Sequence, residues 1–136
     1  MMRFVKALIL LTIAAASGPI APASAQEGVI SSAVVYGGAT QKRIVCYFTN
    51  QGGASVRLSN VSVFDRFGMA VEPVIDTCGG SAPLVLARGK SCERAADIIS
   101  NAVYGCRAKV DDLAYVRGSV EIRDQNEIVL NSLPME

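Results

Sequence analysis

Three stretches of the chain alternate apolar and polar side chains with a period of two. In Arg43-Ile44-Val45-Cys46-Tyr47-Phe48-Thr49, Ile44, Cys46 and Phe48 fall on one face, and Arg43, Tyr47 and Thr49 on the other. Ala102 to Val110 repeats the scheme. Ala102, Tyr104, Cys106, Ala108 and Val110 point one way, while Arg107 and Lys109 point the other. From Tyr115 to Arg123, Val116, Gly118, Val120 and Ile122 turn inward. Successive side chains of a strand project to opposite faces, so this period predicts half-buried antiparallel strands.

Turn signals separate the strands at short intervals: Gly37-Gly38, Asn50 to Gly53, Asp65 to Gly68, Gly79-Gly80, Arg88-Gly89-Lys90 and Asp124 to Asn126. Short strands punctuated in this way predict an all-β sandwich or barrel. One run slips. Val56 and Leu58 share a face, but Val61 and Val63 follow at an odd step, which predicts a bulge near Ser59-Asn60. Glu93 to Ser100 reads as a strand, with two turns of helix as the competing reading. No internal repeat or domain boundary interrupts the pattern.

The first 25 residues follow a different rule. Arg3 and Lys6 precede the apolar run Ala7–Ala16, then come Gly18-Pro19, Pro22 and the small residues Ala23-Ser24-Ala25. Charge, apolar core and small-residue exit, in that order, predict a secretory signal peptide cleaved after Ala25. The apolar core is well short of the roughly 20 residues that span a bilayer. The first cysteine is Cys46, too late for a lipoprotein anchor. The expected mature chain, residues 26–136, is therefore one β-sandwich domain exported to the periplasm or beyond, with no transmembrane segment.

Charge narrows the partners. Cleavage removes Arg3 and Lys6 from 13 basic residues, leaving 11 against 12 acidic ones and a net charge of −1. Such a chain has no electrostatic reason to bind nucleic acid.

All four cysteines, Cys46, Cys78, Cys92 and Cys106, fall in the expected mature part. An even count in a small exported chain predicts two disulfides, with three possible pairings. Zinc is the competing reading, but no close Cys-x-x-Cys pair and no histidine is present.

Tyr104-Gly105-Cys106 narrows the pairing. It resembles the tyrosine corner of immunoglobulin-like sandwiches, where a tyrosine lies two residues before a cysteine that bridges the two sheets. Cys46, in mid-strand, is the partner this resemblance implies, although the tryptophan of antibody domains is missing. Both cysteines also point inward from strong strands, while Cys78 and Cys92 flank a Gly- and Pro-containing segment able to fold back on itself. The expected pairs are Cys46–Cys106 and Cys78–Cys92. Further elements are Cys46-Tyr47-Phe48-Thr49-Asn50, Val61-Ser62-Val63-Phe64-Asp65, Asp76-Thr77-Cys78-Gly79, Leu86 to Cys92 and Gly118 to Asp124. Together they resemble a group of small exported bacterial proteins with an immunoglobulin-like β-sandwich, over residues 43–124. The resemblance implies that fold and carries no catalytic residues.

Candidate chemistry is sparse. Without histidine, Ser-His-Asp and Cys-His nucleophilic systems are excluded. Gly89-Lys90-Ser91 mimics the end of a phosphate-binding loop, but Leu84 stands where the motif requires glycine. Asp111-Asp112 reads as a solvated loop, with calcium as the alternative. Asn60-Val61-Ser62 fits a glycosylation acceptor pattern, which the bacterial source implied by the resemblance would leave unused. Arg107, Lys109, Arg117 and Arg123, with Tyr115, could share the outer face of two adjacent strands. The expected activity is non-catalytic and needs no cofactor or metal: binding of a protein or glycan partner, or a structural role. The loop between Cys78 and Cys92, carrying Arg88 and Lys90, is the candidate contact. A small inhibitor or effector presenting that loop is the alternative.

Overall fold

The computed structural model describes residues 25–80 and 82–136, so the expected signal segment lies, but for Ala25, outside the described residues. Ten strands follow one another: β1 (Gly28–Ser31), β2 (Gln41–Asn50), β3 (Val56–Asp65), β4 (Ala70–Val71), β5 (Ile75–Asp76), β6 (Leu84–Leu86), β7 (Ser91–Asp97), β8 (Tyr104–Val110), β9 (Val116–Asp124) and β10 (Val129–Met135). Among the described residues there is no helix, and hence none long and apolar enough to cross a membrane.

The strands form two antiparallel sheets. One runs β1-β8-β3-β4, with β6 also paired to β3, and the other runs β10-β9-β2-β7-β5. Their inner faces share one core, built from the residues whose alternation was legible. Ile44, Cys46 and Phe48 of β2, Cys106 and Ala108 of β8, and Val120 and Ile122 of β9 are all fully buried. The sheets are tied by the Cys46–Cys106 disulfide, and a second disulfide joins Cys78 to Cys92. Along one side the sheets also meet through backbone. Ser31 donates to the carbonyl of Glu136 at 2.9 Å, and Glu136 returns a bond to Ser31 at 3.2 Å.

The slip in β3 is a bulge. Ser59 pairs with Lys109 and Ser62 with Arg107, so Asn60 and Val61 together face Ala108 alone. Asn60 takes up the kink at φ 51°, a left-handed conformation that asparagine tolerates better than most residues. Of the strand expected over Glu93 to Ser100, Glu93 to Asp97 belong to β7, which pairs with β2 along its whole length, and Ile98 to Ser100 lie beyond its end. At the other end of β7 the tyrosine two residues before Cys106 has a defined task. The Tyr104 hydroxyl accepts the Ile99 amide at 3.3 Å, fastening the turn that leads into β8.

Two expectations change. The strand expected from Ala102 starts at Tyr104, because the Ala102 carbonyl accepts a hydrogen bond from the Gln41 side chain instead of joining the sheet. The proposed basic face also does not form. The chain crosses from one sheet to the other between β8 and β9, so Arg107 and Lys109 lie on one sheet and Arg117 and Arg123 on the other.

Candidate functional site

Thr77 anchors the start of the segment enclosed by Cys78 and Cys92. Its backbone amide donates to the Glu93 carbonyl at 2.8 Å, and its hydroxyl accepts the Glu93 amide at 2.7 Å. The chain then leaves the sheet of β5, contributes β6 to the opposite sheet, and returns as β7. Val56, Arg57 and Leu58 of β3 pair with Leu86, Val85 and Leu84, and Leu86 is buried in the core. The enclosed segment is thus partly sheet, and its last turn, like Ala82, Pro83 and Val85 before it, is exposed to solvent.

That turn is Ala87-Arg88-Gly89-Lys90. The Lys90 amide closes it on the Ala87 carbonyl at 3.0 Å, and Gly89 adopts φ 70° at the position where a type II turn demands a positive value. Asn50 clamps it from outside. The Asn50 amide donates to the Lys90 carbonyl, its own carbonyl accepts from Gly89, both at 2.9 Å, and its side chain donates to the Leu86 carbonyl at 2.9 Å. Arg88 and Lys90 are both solvent-exposed on this fixed backbone.

Two more loops complete this end of the molecule. Gln51 donates to the Tyr115 carbonyl at 2.8 Å, and Gly52 lies flat under the Tyr115 ring. A Cβ on Gly52 would stand 2.0 Å from the ring, so only glycine fits there. Asp111 and Asp112, the acidic pair of the sequence, serve their own backbone. Asp111 accepts the Arg57 amide at 2.8 Å, and Asp112 accepts the Ala114 amide at 3.0 Å. The Arg117 guanidinium turns back onto the Val116 carbonyl at 2.9 Å.

The outer face of the second sheet carries an interlocked charge network. Arg123 donates to Glu121 at 2.6 Å and to the Tyr47 hydroxyl at 2.9 Å, and Arg43 bridges Asp97 at 2.9 Å and Glu127 at 2.7 Å. Burial raises the Tyr47 phenol above its ordinary pKa, against the opposing pull of Arg123. The hydrogen bond to Glu121 raises the pKa of Arg123 and fixes its charge. On the first sheet Arg107 lies over the Phe64 ring at 5.5 Å and bonds the Ser62 hydroxyl at 3.1 Å, and Lys109 pairs with Glu27.

Sequence reasoning singled out Arg88, Lys90 and the cysteines but missed the two residues that organise the loop ends. Gln41 and Asn50 are completely buried amides at the two ends of β2. Each lies within four residues of a glycine pair, Gly37-Gly38 or Gly52-Gly53, and that proximity to a turn was the only signal.

No protein-family model, curated protein or solved structure matches the chain.

Proposed function

We propose that the chain is an exported, immunoglobulin-like, non-catalytic module that binds a protein or glycan partner through the end of the fold carrying Arg88 and Lys90. The observation that carries this reading is the Asn50 clamp. Two exposed cations sit on a turn whose backbone is held by Asn50 at Gly89 and at Lys90, so little backbone entropy remains to be lost when a partner orders them. Loops on a rigid scaffold are where binding residues concentrate. The immunoglobulin-like assignment draws support from the inter-sheet bridge Cys46–Cys106 and from the Tyr104 hydroxyl bond to the Ile99 amide, the two features that mark such sandwiches. Export draws support from two buried disulfides, which persist in oxidising compartments. It is also consistent with the Gln26 carbonyl, which accepts the Leu113 amide at 2.9 Å. The fold takes hold at the residue that cleavage after Ala25 would expose.

The test is capture from native envelope extract with the wild-type chain and with the double variant R88A/K90A. The wild type retains a partner, identified by mass spectrometry, and the double variant, folded to the same stability, loses it. Equal capture by both would move the contact away from this turn. Turnover of a peptide, glycan or ester that disappears on changing one carboxylate would end the non-catalytic reading.

A further inference from the structure

The bulge in β3 opens a gap in the first sheet. On one side of it Asn60 and Val61 are lifted out of register with β8. On the other side β6 covers only Val56 to Leu58 and β4 only Val63 and Phe64, so residues 59–62 have no strand beside them. A cavity of about 550 Å³ occupies this gap.

Three cations line it: Arg94, Arg107 and Lys109. Arg94 is the unexpected one. Its direct cross-strand partner is Cys46, whose side chain faces the core, so Arg94 projects from β7 between the sheets. Only 12% of its side chain is exposed. Asp76, its neighbour on β5, pairs with Nη1, but Nε is shielded from solvent and has no hydrogen-bond partner among the described residues. Gly80, at φ 57°, lets the backbone pass close over this pair.

The charges do not cancel. Asp76 answers Arg94 and Glu27 answers Lys109. Arg107 meets the neutral Ser62 hydroxyl and the Phe64 ring, and among the described residues it has no ion-pair partner. One positive charge is left over at the mouth of a cavity whose remaining wall includes Val29, Val61 and Ala108. A guanidinium prefers a planar, bidentate anion, which a carboxylate supplies.

We infer that this gap is a binding site for a small monocarboxylate with a short apolar tail, its head group on Arg107 and its tail against the exposed side chain of Val29. The site is separate from the Arg88–Lys90 turn and goes beyond the partner binding proposed above.

The probe is octanoate, titrated into the purified chain and followed by backbone amide chemical shifts. The expected result is saturable shifts at Asn60, Ser62, Arg107 and Lys109, with a dissociation constant of about 0.1–1 mM for a ligand of this size. R107Q, with unchanged shifts elsewhere, weakens octanoate at least about tenfold, the loss of one charge-assisted hydrogen bond. Neutral octanol produces no comparable shifts. R88A/K90A binds octanoate like the wild type, so failure of partner capture and failure of this site are read separately. The inference is overturned by non-saturating shifts, by shifts centred elsewhere, by equal binding of octanol, or by an R107Q variant that binds as tightly as wild type.

Discussion

Gln41 and Asn50 hold the two ends of β2 with the same chemistry, one fully buried side-chain amide at each end making three hydrogen bonds to backbone. Gln41 accepts from Gly37 and donates to the carbonyls of Ile99 and Ala102, all at 2.7 Å. Asn50 accepts from Gly52 at 2.9 Å and donates to Ala54 at 2.7 Å and Leu86 at 2.9 Å. Backbone groups of loops that cross the ends of a sandwich lie beyond the ladders, and these amides supply what the ladders cannot.

Removing either amide therefore leaves buried backbone groups without partners. Leaving one such group unsatisfied costs about 1–3 kcal/mol. Asn50→Ala and Gln41→Leu should each lower the unfolding free energy by at least that much, read from the midpoint of urea denaturation at unchanged slope. Asn50→Ala should in addition release the Arg88–Lys90 turn, visible as faster amide exchange at Gly89. A loss below about 0.5 kcal/mol would show that water replaces the amides without penalty.

The disulfides should differ in worth. In the chain-entropy model the Cys46–Cys106 loop, with its separation of 60, contributes about 4 kcal/mol, and the Cys78–Cys92 loop, with its separation of 14, about 3 kcal/mol. Paired alanine variants should follow that order in denaturation midpoint. C46A/C106A should lose more, because it also unpins the two sheets. The opposite order would mean that the smaller loop is what keeps β6 in place and β6 is what keeps the domain folded.

Asn60 tests the bulge. A side chain in the left-handed region costs roughly 1–2 kcal/mol, and glycine escapes that cost. Asn60→Gly should leave stability within a few tenths of a kcal/mol, whereas Asn60→Val should destabilise by about 1 kcal/mol or more. Equal effects would place the chain in an ordinary strand conformation at this position.

The bulge also marks how far the sequence could be read. Alternation identified β2, β8 and β9 because each buries one face, and a slip in alternation located the bulge because a one-residue offset turns every later side chain over. The Cys46–Cys106 pair was legible partly for the same reason, since the inward phase of both cysteines was visible in their strands, and the Cys78–Cys92 pair from the Gly- and Pro-containing segment between them. What failed was the pairing of strands distant in sequence. Nothing local in Arg117 or Arg123 records that β9 lies against β2 and not against β8. β6 has three residues, β4 and β5 two each, too few for a period to register. Arg94 fared worst. A charged residue in a polar-looking run reads as exposed, and only the register against Cys46 turns it inward.

The last prediction concerns Tyr47. Its phenol sits among Arg123, Glu93 and Glu121 on the outer face of the second sheet, and burial is the largest influence on it, outweighing Arg123 and raising its pKa above 10. The sign follows. The folded chain holds the phenolic proton more tightly than the unfolded chain does, so stability is unaffected well below pH 10 and falls as pH rises through the raised value. The difference in alkaline absorbance between wild type and Tyr47→Phe should therefore isolate a phenol that titrates above the ordinary tyrosine range. The variant should also lose less stability than the wild type between neutral pH and the alkaline range, because the phenol that must stay protonated is gone. If the component that Tyr47→Phe removes instead titrates within or below the ordinary phenol range, Arg123, held by Glu121, stabilises the phenolate more than burial disfavours it.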